Sequence, residues 1–248
     1  MSERNRLRSI LTLVELNGII PIRTTPLYIL NTVASPLAFL FMIFIVSHGT
    51  YLLYGITGGM VLTTMTVGTS LQSDLTHYRH DLKFQDVVVA SPVEAPVYVL
   101  GMALSELVYS LPGLGVFVVL FVAEGFATPV SVGVMVGVLA LVWGFATALA
   151  FTLATYFQDV RETFMFSPLI SLVLTVLPPV YYPLAYLPGW AQVAARFSPT
   201  TYAAGLVQGA VGHAPLSFGT AELDWGVLAA VTAALFLLAA FKARWKEP

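Results

Sequence analysis

The chain has 248 residues, 58% of them hydrophobic and only 10% charged, with a net charge of −2 and a mean hydropathy of +0.85. A soluble domain carries about 25% charged residues to cover its surface, so the solvent for most of this chain is lipid. No basic tract is long enough to suggest nucleic acid, and the absence of cysteine excludes disulfides, thiolate metal sites and cysteine nucleophiles.

In chain order, residues 7–20 put Leu7, Ile10, Leu11, Val14 and Gly18 on one side of a helix, with Arg8, Thr12 and Glu15 elsewhere. With Arg4, Arg6 and Arg8 at its start, this pattern suits a helix lying in the interface plane, within a cytoplasmic or interfacial segment 1–23. Glu15 and Asn17 break the apolar run, so it does not read as a cleavable signal. Pro21, Arg23 and Pro26 then turn the chain inward.

A helix crosses the hydrocarbon layer in about 20 apolar residues. Six stretches qualify: 26–47, 51–73, 97–122, 131–156, 164–183 and 224–242. The links 47–51 and 123–130 are short, which makes those neighbours antiparallel. With the N-terminus in the cytoplasm, Arg4, Arg6, Arg8, Arg23, Arg79 and Lys83 share its side with Arg161, Lys242, Arg244 and Lys246. Only Arg196, of eleven Lys and Arg residues, falls outside. That bias fixes both termini in the cytoplasm and favours an even number of spans.

The longest polar interruption is Asp74–Pro96, DLTHYRHDLKFQDVVVASPVEAP. Leu75, Tyr78, Leu82 and Val89 recur there at helical spacing, and Pro92 ends the run. This predicts a short amphipathic helix across one end of the bundle, offered to something in the water. The alternative is a solvated loop between two spans. His77 and His80, three apart beside Asp74 and Asp81, fit that solvated face better than a metal site.

Residues 178–215 form a second unusual region, opened by PPVYYPLAYLPGW. Trp190, Val193, Ala194 and Phe197 form a helical stripe, and Tyr202–Val211 is a second apolar piece too short to cross. Two short helices dipping part-way into the membrane are expected, or else a cap packed on the ends of the spans.

Glu106 is the acidic residue expected near mid-depth of a span, as a substrate-path group or as a buried packing group. Asn31, Gln72, Thr63, Thr64 and Thr66 are expected to join helices, and Gly101–Ser105 and Gly133–Gly137 to allow close helix contact. There is no GxxxxGK[ST], GxGxxG or GxSxG. The chain has a membrane architecture without an evident energy source of its own.

Two blocks carry a family resemblance: DLKFQDVVVASPVEAPVYVLGMALSELVYS (81–110) and FQDVRETFMFSPLISLVLTVLPPVYYPLAYLPGWAQVAARFSPTTYAAGLVQG (157–209). They resemble the ABC-2 type permeases, membrane subunits of ABC exporters related to drug-resistance and polysaccharide-export permeases. Where such proteins often show Arg followed by Gly-Thr-Leu-Glu, this chain has Asp81-Leu82-Lys83-Phe84-Gln85-Asp86. The resemblance implies one all-α transmembrane domain over 1–248, with six spans, an N-terminal interfacial helix, a coupling helix at 81–90 and a re-entrant hairpin at 184–211. It implies a separate ABC ATPase that carries ATP and Mg, with no cofactor on this chain, and a second permease chain in a homodimer or heterodimer. Asp81, Leu82, Lys83, Phe84, Gln85, Asp86 and Val87 are then the ATPase-docking residues. Glu106, Tyr181, Tyr182, Pro183, Trp190 and Tyr202 are the candidates for the substrate path or gate. The implied function is export of an amphipathic, lipid-like, drug or glycan substrate across the plasma (cytoplasmic) membrane. The competing expectation is a stand-alone ion-coupled transporter or channel using Glu106; a membrane-embedded enzyme lacks any paired nucleophile and base.

Overall fold

The structure, a computed structural model, describes residues 3–25, 27–82, 93–157, 159–212 and 219–242. All regular elements among them are helical: α1 (Glu3–Val14), a π turn (Glu15–Ile19), α2 (Ile20–Thr24), α3 (Leu27–Ser47), α4 (Leu52–His80), α5 (Ala95–Ala123), α6 (Pro129–Ala154), α7 (Val160–Thr175), a 3-10 turn (Leu184–Tyr186), α8 (Gly189–Ala195), α9 (Pro199–Ala210) and α10 (Ala221–Lys242).

The bundle is built around α4. Most of its residues from Leu53 to Thr76 are buried, and α3, α5, α6, α7 and α9 all pack on it. Small residues make this possible. A Cβ on Gly59 would lie 2.2 Å from the Phe117 ring of α5, so that ring, itself fully buried, fills the space a side chain would take. Against α7 the contact is polar. Thr163, Ser167, Ser171 and Thr175 recur every fourth residue and are buried. Ser167 Oγ donates to the Thr69 carbonyl at 2.7 Å, and Ser171 Oγ lies 2.9 Å from Thr66 Oγ1. Thr66 thus joins two helices as expected. Thr63 and Thr64 instead donate to their own helix, at Gly59 and Met60, which satisfies a hydroxyl without a neighbour. Gln72 is fully buried, and neither of its amide atoms has a partner among the described residues.

Among the described residues four helices are long and apolar enough to cross a membrane: Leu52–Arg79, Pro96–Ala123, Pro129–Ala154 and Ala221–Phe241. They fall on the expected 51–73, 97–122, 131–156 and 224–242, and α3 falls on 26–47. The expected span 164–183 is not one helix. It begins earlier, at Val160, and ends at Thr175 after 16 residues, about 24 Å. Pro178 and Pro179 have no N–H to donate and push their preceding residues out of helical geometry; the chain turns there, Val180 N–H bonding the Pro178 carbonyl at 2.7 Å. The links between neighbours are tight. His48 and Gly49 take positive φ (49° and 84°) to fold α3 back onto α4. Thr128 and Ser131 cap each other at the start of α6, with Pro129 in its first turn.

The N-terminal helix runs beside α5 and parallel to it. Arg6 bonds Glu94 at 2.8 Å, Leu13 packs where a Cβ of Gly101 would lie 2.5 Å away, and Gly18 approaches the Ser105 carbonyl. Partners advance together along both helices, so α1 runs alongside the start of α5. The Gly101–Ser105 pair is the notch that admits Leu13, with Ser105 Oγ donating to the Leu13 carbonyl at 3.0 Å.

The region 184–211 divides in two. α9 is buried from Pro199 to Gln208 against α4, α6 and α10. α8 and the turn after it face their apolar stripe outward, leaving Trp190 77% and Phe197 86% exposed.

Candidate functional site

Two places collect the candidate residues, at opposite ends of α4. The first lies toward the end that carries Arg6, Arg79 and Arg161. α5 is 29 residues, about 43 Å, and Glu106 sits only about 16 Å from its start. It therefore stands less than one turn from the helix midpoint, on the side of the basic end, near the mid-depth expected. It is buried, and Ser70 Oγ of α4 donates to its Oε2 at 2.8 Å. Asp74 stands one turn along α4 from Ser70.

Another turn along α4, Tyr78 donates its hydroxyl to Asn17 Oδ1 at 2.6 Å. Asn17 Nδ2 donates to the Leu13 carbonyl at 3.2 Å and reaches Met102 Sδ at 3.5 Å. Asn17 stands in the π turn, an element that recurs at functional sites. Ser70, Asp74 and Tyr78 thus form one stripe of α4 that holds α5 with one end and the N-terminal segment with the other. Sequence reasoning singled out Glu106 and missed Asn17, Ser70, Asp74 and Tyr78 as its associates. The four-residue spacing along α4 was the available signal.

α4 ends just beyond this joint. His77 Nδ1 lies 2.7 Å from Asp81 Oδ2, and Leu82 is exposed. Lys83, Phe84, Gln85, Asp86 and Val87, with the rest of the expected coupling helix 81–90, lie outside the described residues. So do Arg244 and Lys246, His213, and the side chains of Asn31, His80 and Lys242. The chain re-enters α5 through Glu94, whose carboxyl is held below its ordinary range by the Arg6 guanidinium. Among the described residues no three His, Asp or Glu side chains gather as metal ligands.

The second place is at the opposite end. The Tyr181 ring lies over Gly58 of α4, where a Cβ would be 2.6 Å away, and stacks on Phe39 of α3 with ring centres 5.5 Å apart. Tyr182 donates to the Leu177 carbonyl at 2.7 Å. Tyr51 and Tyr186 meet hydroxyl to hydroxyl with their rings edge-on. Together with Met42, Ile43 and Val46 these aromatics line a cavity of about 300 Å³. Pro183, extended at φ −61° and ψ 138°, leads into the 3-10 turn that carries Tyr186. Trp190 points outward on α8, and Tyr202 is buried in α9 with its hydroxyl on the Arg196 carbonyl at 2.9 Å. The structure therefore brings Tyr181 and Tyr182 together, and keeps Trp190, Tyr202 and Glu106 apart from them.

A third acidic position escaped the sequence reading because it fell on the boundary of the span 224–242. Asp224, in the first turn of α10, is fully buried, and neither carboxylate oxygen has a hydrogen-bond partner among the described residues.

The family model described as ABC-2 type transporter matches residues 12–211. No curated protein matches the chain.

Proposed function

Because this chain belongs to the ABC-2 type transporter family, and so is a multi-pass membrane permease of ABC-type transport, we propose that it is the membrane subunit of an exporter driven by a separate ATPase. The observation that carries this reading is the joint at the basic end of α4. The two helices that flank residues 81–94 are held together by Ser70 and Glu106. Both are tied to the N-terminal segment, α4 by Tyr78 on Asn17 of the π turn and the start of α5 by Arg6 of α1 on Glu94. A force applied to residues 81–94 would then move three helices as one lever, as expected of a chain powered by a separate ATPase.

In this reading the basic end and both termini face the cytoplasm, as positive residues do. Residues 81–90, with Asp81, Leu82, Lys83, Phe84, Gln85, Asp86 and Val87, seat in a cleft of the ATPase, which binds ATP and Mg. Two permease chains, identical or not, enclose the path. Glu106 steadies its inner end. Tyr181, Tyr182 and Pro183 shape its outer end, with Trp190 and Tyr202 on the two helices of a re-entrant region 184–211. The cargo leaves the cytoplasm across the plasma membrane and is amphipathic, lipid-like, a drug or a glycan.

The test is affinity capture of the tagged chain from its native membrane. It should recover an ATPase with a Walker motif, and Phe84→Asp with Val87→Asp should release that partner and stop ATP-driven transport. Undiminished association in the double variant would remove the docking assignment. The buried Glu106 carboxyl favours one other reading, a stand-alone ion-coupled transporter or channel using Glu106.

A further inference from the structure

We propose that the bond between the Tyr51 and Tyr186 hydroxyls is a latch. It holds residues 182–194, with the 3-10 turn and most of α8, closed against the turn between α3 and α4. This stretch is fixed at both ends. Before it, the Val180 carbonyl accepts from Gln208 Nε2 of α9 at 3.1 Å, and the Tyr181 ring packs on Phe39 and Gly58. After it, Ala195 is buried, and its carbonyl accepts from Thr201 Oγ1 of α9 at 2.8 Å. Between these anchors little joins it to the bundle. Tyr186, Pro188, Trp190 and Val193 are exposed, and no other helix packs closely on α8 among the described residues. Its other hydrogen bonds among them are local. Tyr182 donates to Leu177, the Tyr186 and Leu187 N–H groups to the Pro183 and Leu184 carbonyls, and Gln192 to Leu187. Pro183 and Pro188, both extended, have no N–H to donate.

The Tyr51–Tyr186 bond is the exception, since it crosses 135 residues of sequence to another element. Its far half is firmly placed. Tyr51 N–H donates to Ser47 Oγ at 3.2 Å, Ser47 Oγ donates to the Ile43 carbonyl at 2.6 Å, and the Tyr51 ring meets Tyr54 edge-on. Tyr186 meets the same ring at 82°, with centres 5.8 Å apart. Two exposed hydroxyls can each bond water instead, so closing them on one another gains only modestly. One modest bond on an arm held otherwise at its ends gives a closed and a lifted state separated by little free energy. Use of the latch at the outer end of a path rests on the transport reading. The latch itself does not, because it is measured on this chain without nucleotide or ATPase.

The chain contains no cysteine, so Ala195→Cys places a single thiol on the buried last residue of α8. The variant, alone in phosphatidylcholine nanodiscs, is reacted with a water-soluble maleimide, and the rate reads the fraction of time the arm is lifted. Ser198→Cys, buried just after α8, takes its place if that variant is poorly folded. Adding Tyr186→Phe or Tyr51→Phe keeps the rings and removes the bond. Each should raise the rate about fivefold, the loss of one ordinary hydrogen bond. The two together should raise it no further than either alone, as two halves of one bond do. A thiol at Leu228→Cys, buried on α10, should react at one rate with and without these changes. An unchanged rate at the α8 thiol in Tyr186→Phe, or single effects that multiply in the double variant, would overturn the latch. So would equal acceleration at Leu228→Cys, which would make the bond a support of the whole fold.

Discussion

Tyr78 donates its hydroxyl to the side-chain carbonyl of Asn17 across 2.6 Å, although 61 residues separate them. Around this bond α4, α5 and the N-terminal segment share one polar junction, and two turns back along α4 Ser70 bonds Glu106 of α5. Such a bond contributes modestly when made and costs more when only one partner is removed. Tyr78→Phe should therefore destabilise the purified protein by about 1 kcal/mol, and Asn17→Ala by a comparable amount. In a double-mutant cycle followed by thermal unfolding in detergent, the two changes should couple by about 0.5–1.5 kcal/mol. Strict additivity would mean that the two side chains do not interact in the folded protein.

The glycines of the bundle divide by what lies in front of them. A Cβ on Gly59 meets the Phe117 ring at 2.2 Å, whereas one on Gly133 meets nothing within 4 Å. Phe117 has no free space to retreat into, since it is fully buried. Gly59→Ala should thus cost about 1–3 kcal/mol by overpacking. Gly133→Ala should cost nothing, and gain up to about 1 kcal/mol from helix propensity. Melting temperatures of the two variants, purified in parallel, should move in opposite directions.

The two regions differ in how much of them the sequence disclosed. Long apolar runs report their own length, so among the described residues four helices long and apolar enough to cross a membrane stood where they were expected. The stretch 164–183 failed because its hydropathy continues past Pro178 and Pro179 while helical hydrogen bonding does not. The stripe Trp190, Val193 and Phe197 has helical spacing but faces outward. In lipid an apolar face is as content outside as inside, so periodicity loses its usual meaning of burial. Glu106 was conspicuous as a carboxyl in an apolar run. Its association with Asn17 was invisible, because it depends on α1 running parallel to α5, a relation that no local spacing encodes.

The bond between Arg6 and Glu94 makes a pH-dependent contribution whose sign follows from the depressed carboxyl. Arg6 favours the charged form in the folded protein, so this stabilisation is complete above the ordinary glutamate value, about 4.3. It is lost as pH falls through the lower folded value. The melting temperature of the wild type should carry a Glu94-dependent drop only below about pH 4.3, and Glu94→Gln should remove that part of the drop. The side chains are 46% and 41% exposed, so added salt should weaken the effect as well. A Glu94→Gln profile parallel to the wild type over the acid range would show that the bond does not form in solution.

Glu106 separates the two accounts of how the protein is powered. If the Glu106 carboxyl is a structural member of the joint, an amide of the same shape should serve nearly as well. Glu106→Gln keeps an oxygen to accept from Ser70. ATP-driven transport by the chain with its ATPase should then remain within a few-fold of wild type. Glu106→Ala leaves Ser70 without its partner on α5, a loss of about 1–3 kcal/mol, and should lower both stability and transport. If Glu106 instead carries protons, the amide cannot release one. Glu106→Gln would then abolish flux driven by a proton gradient across vesicles that contain no ATPase. The paired measurement decides: retained ATP-driven transport in Glu106→Gln, with no gradient-driven flux from the wild-type chain alone, is the outcome expected here.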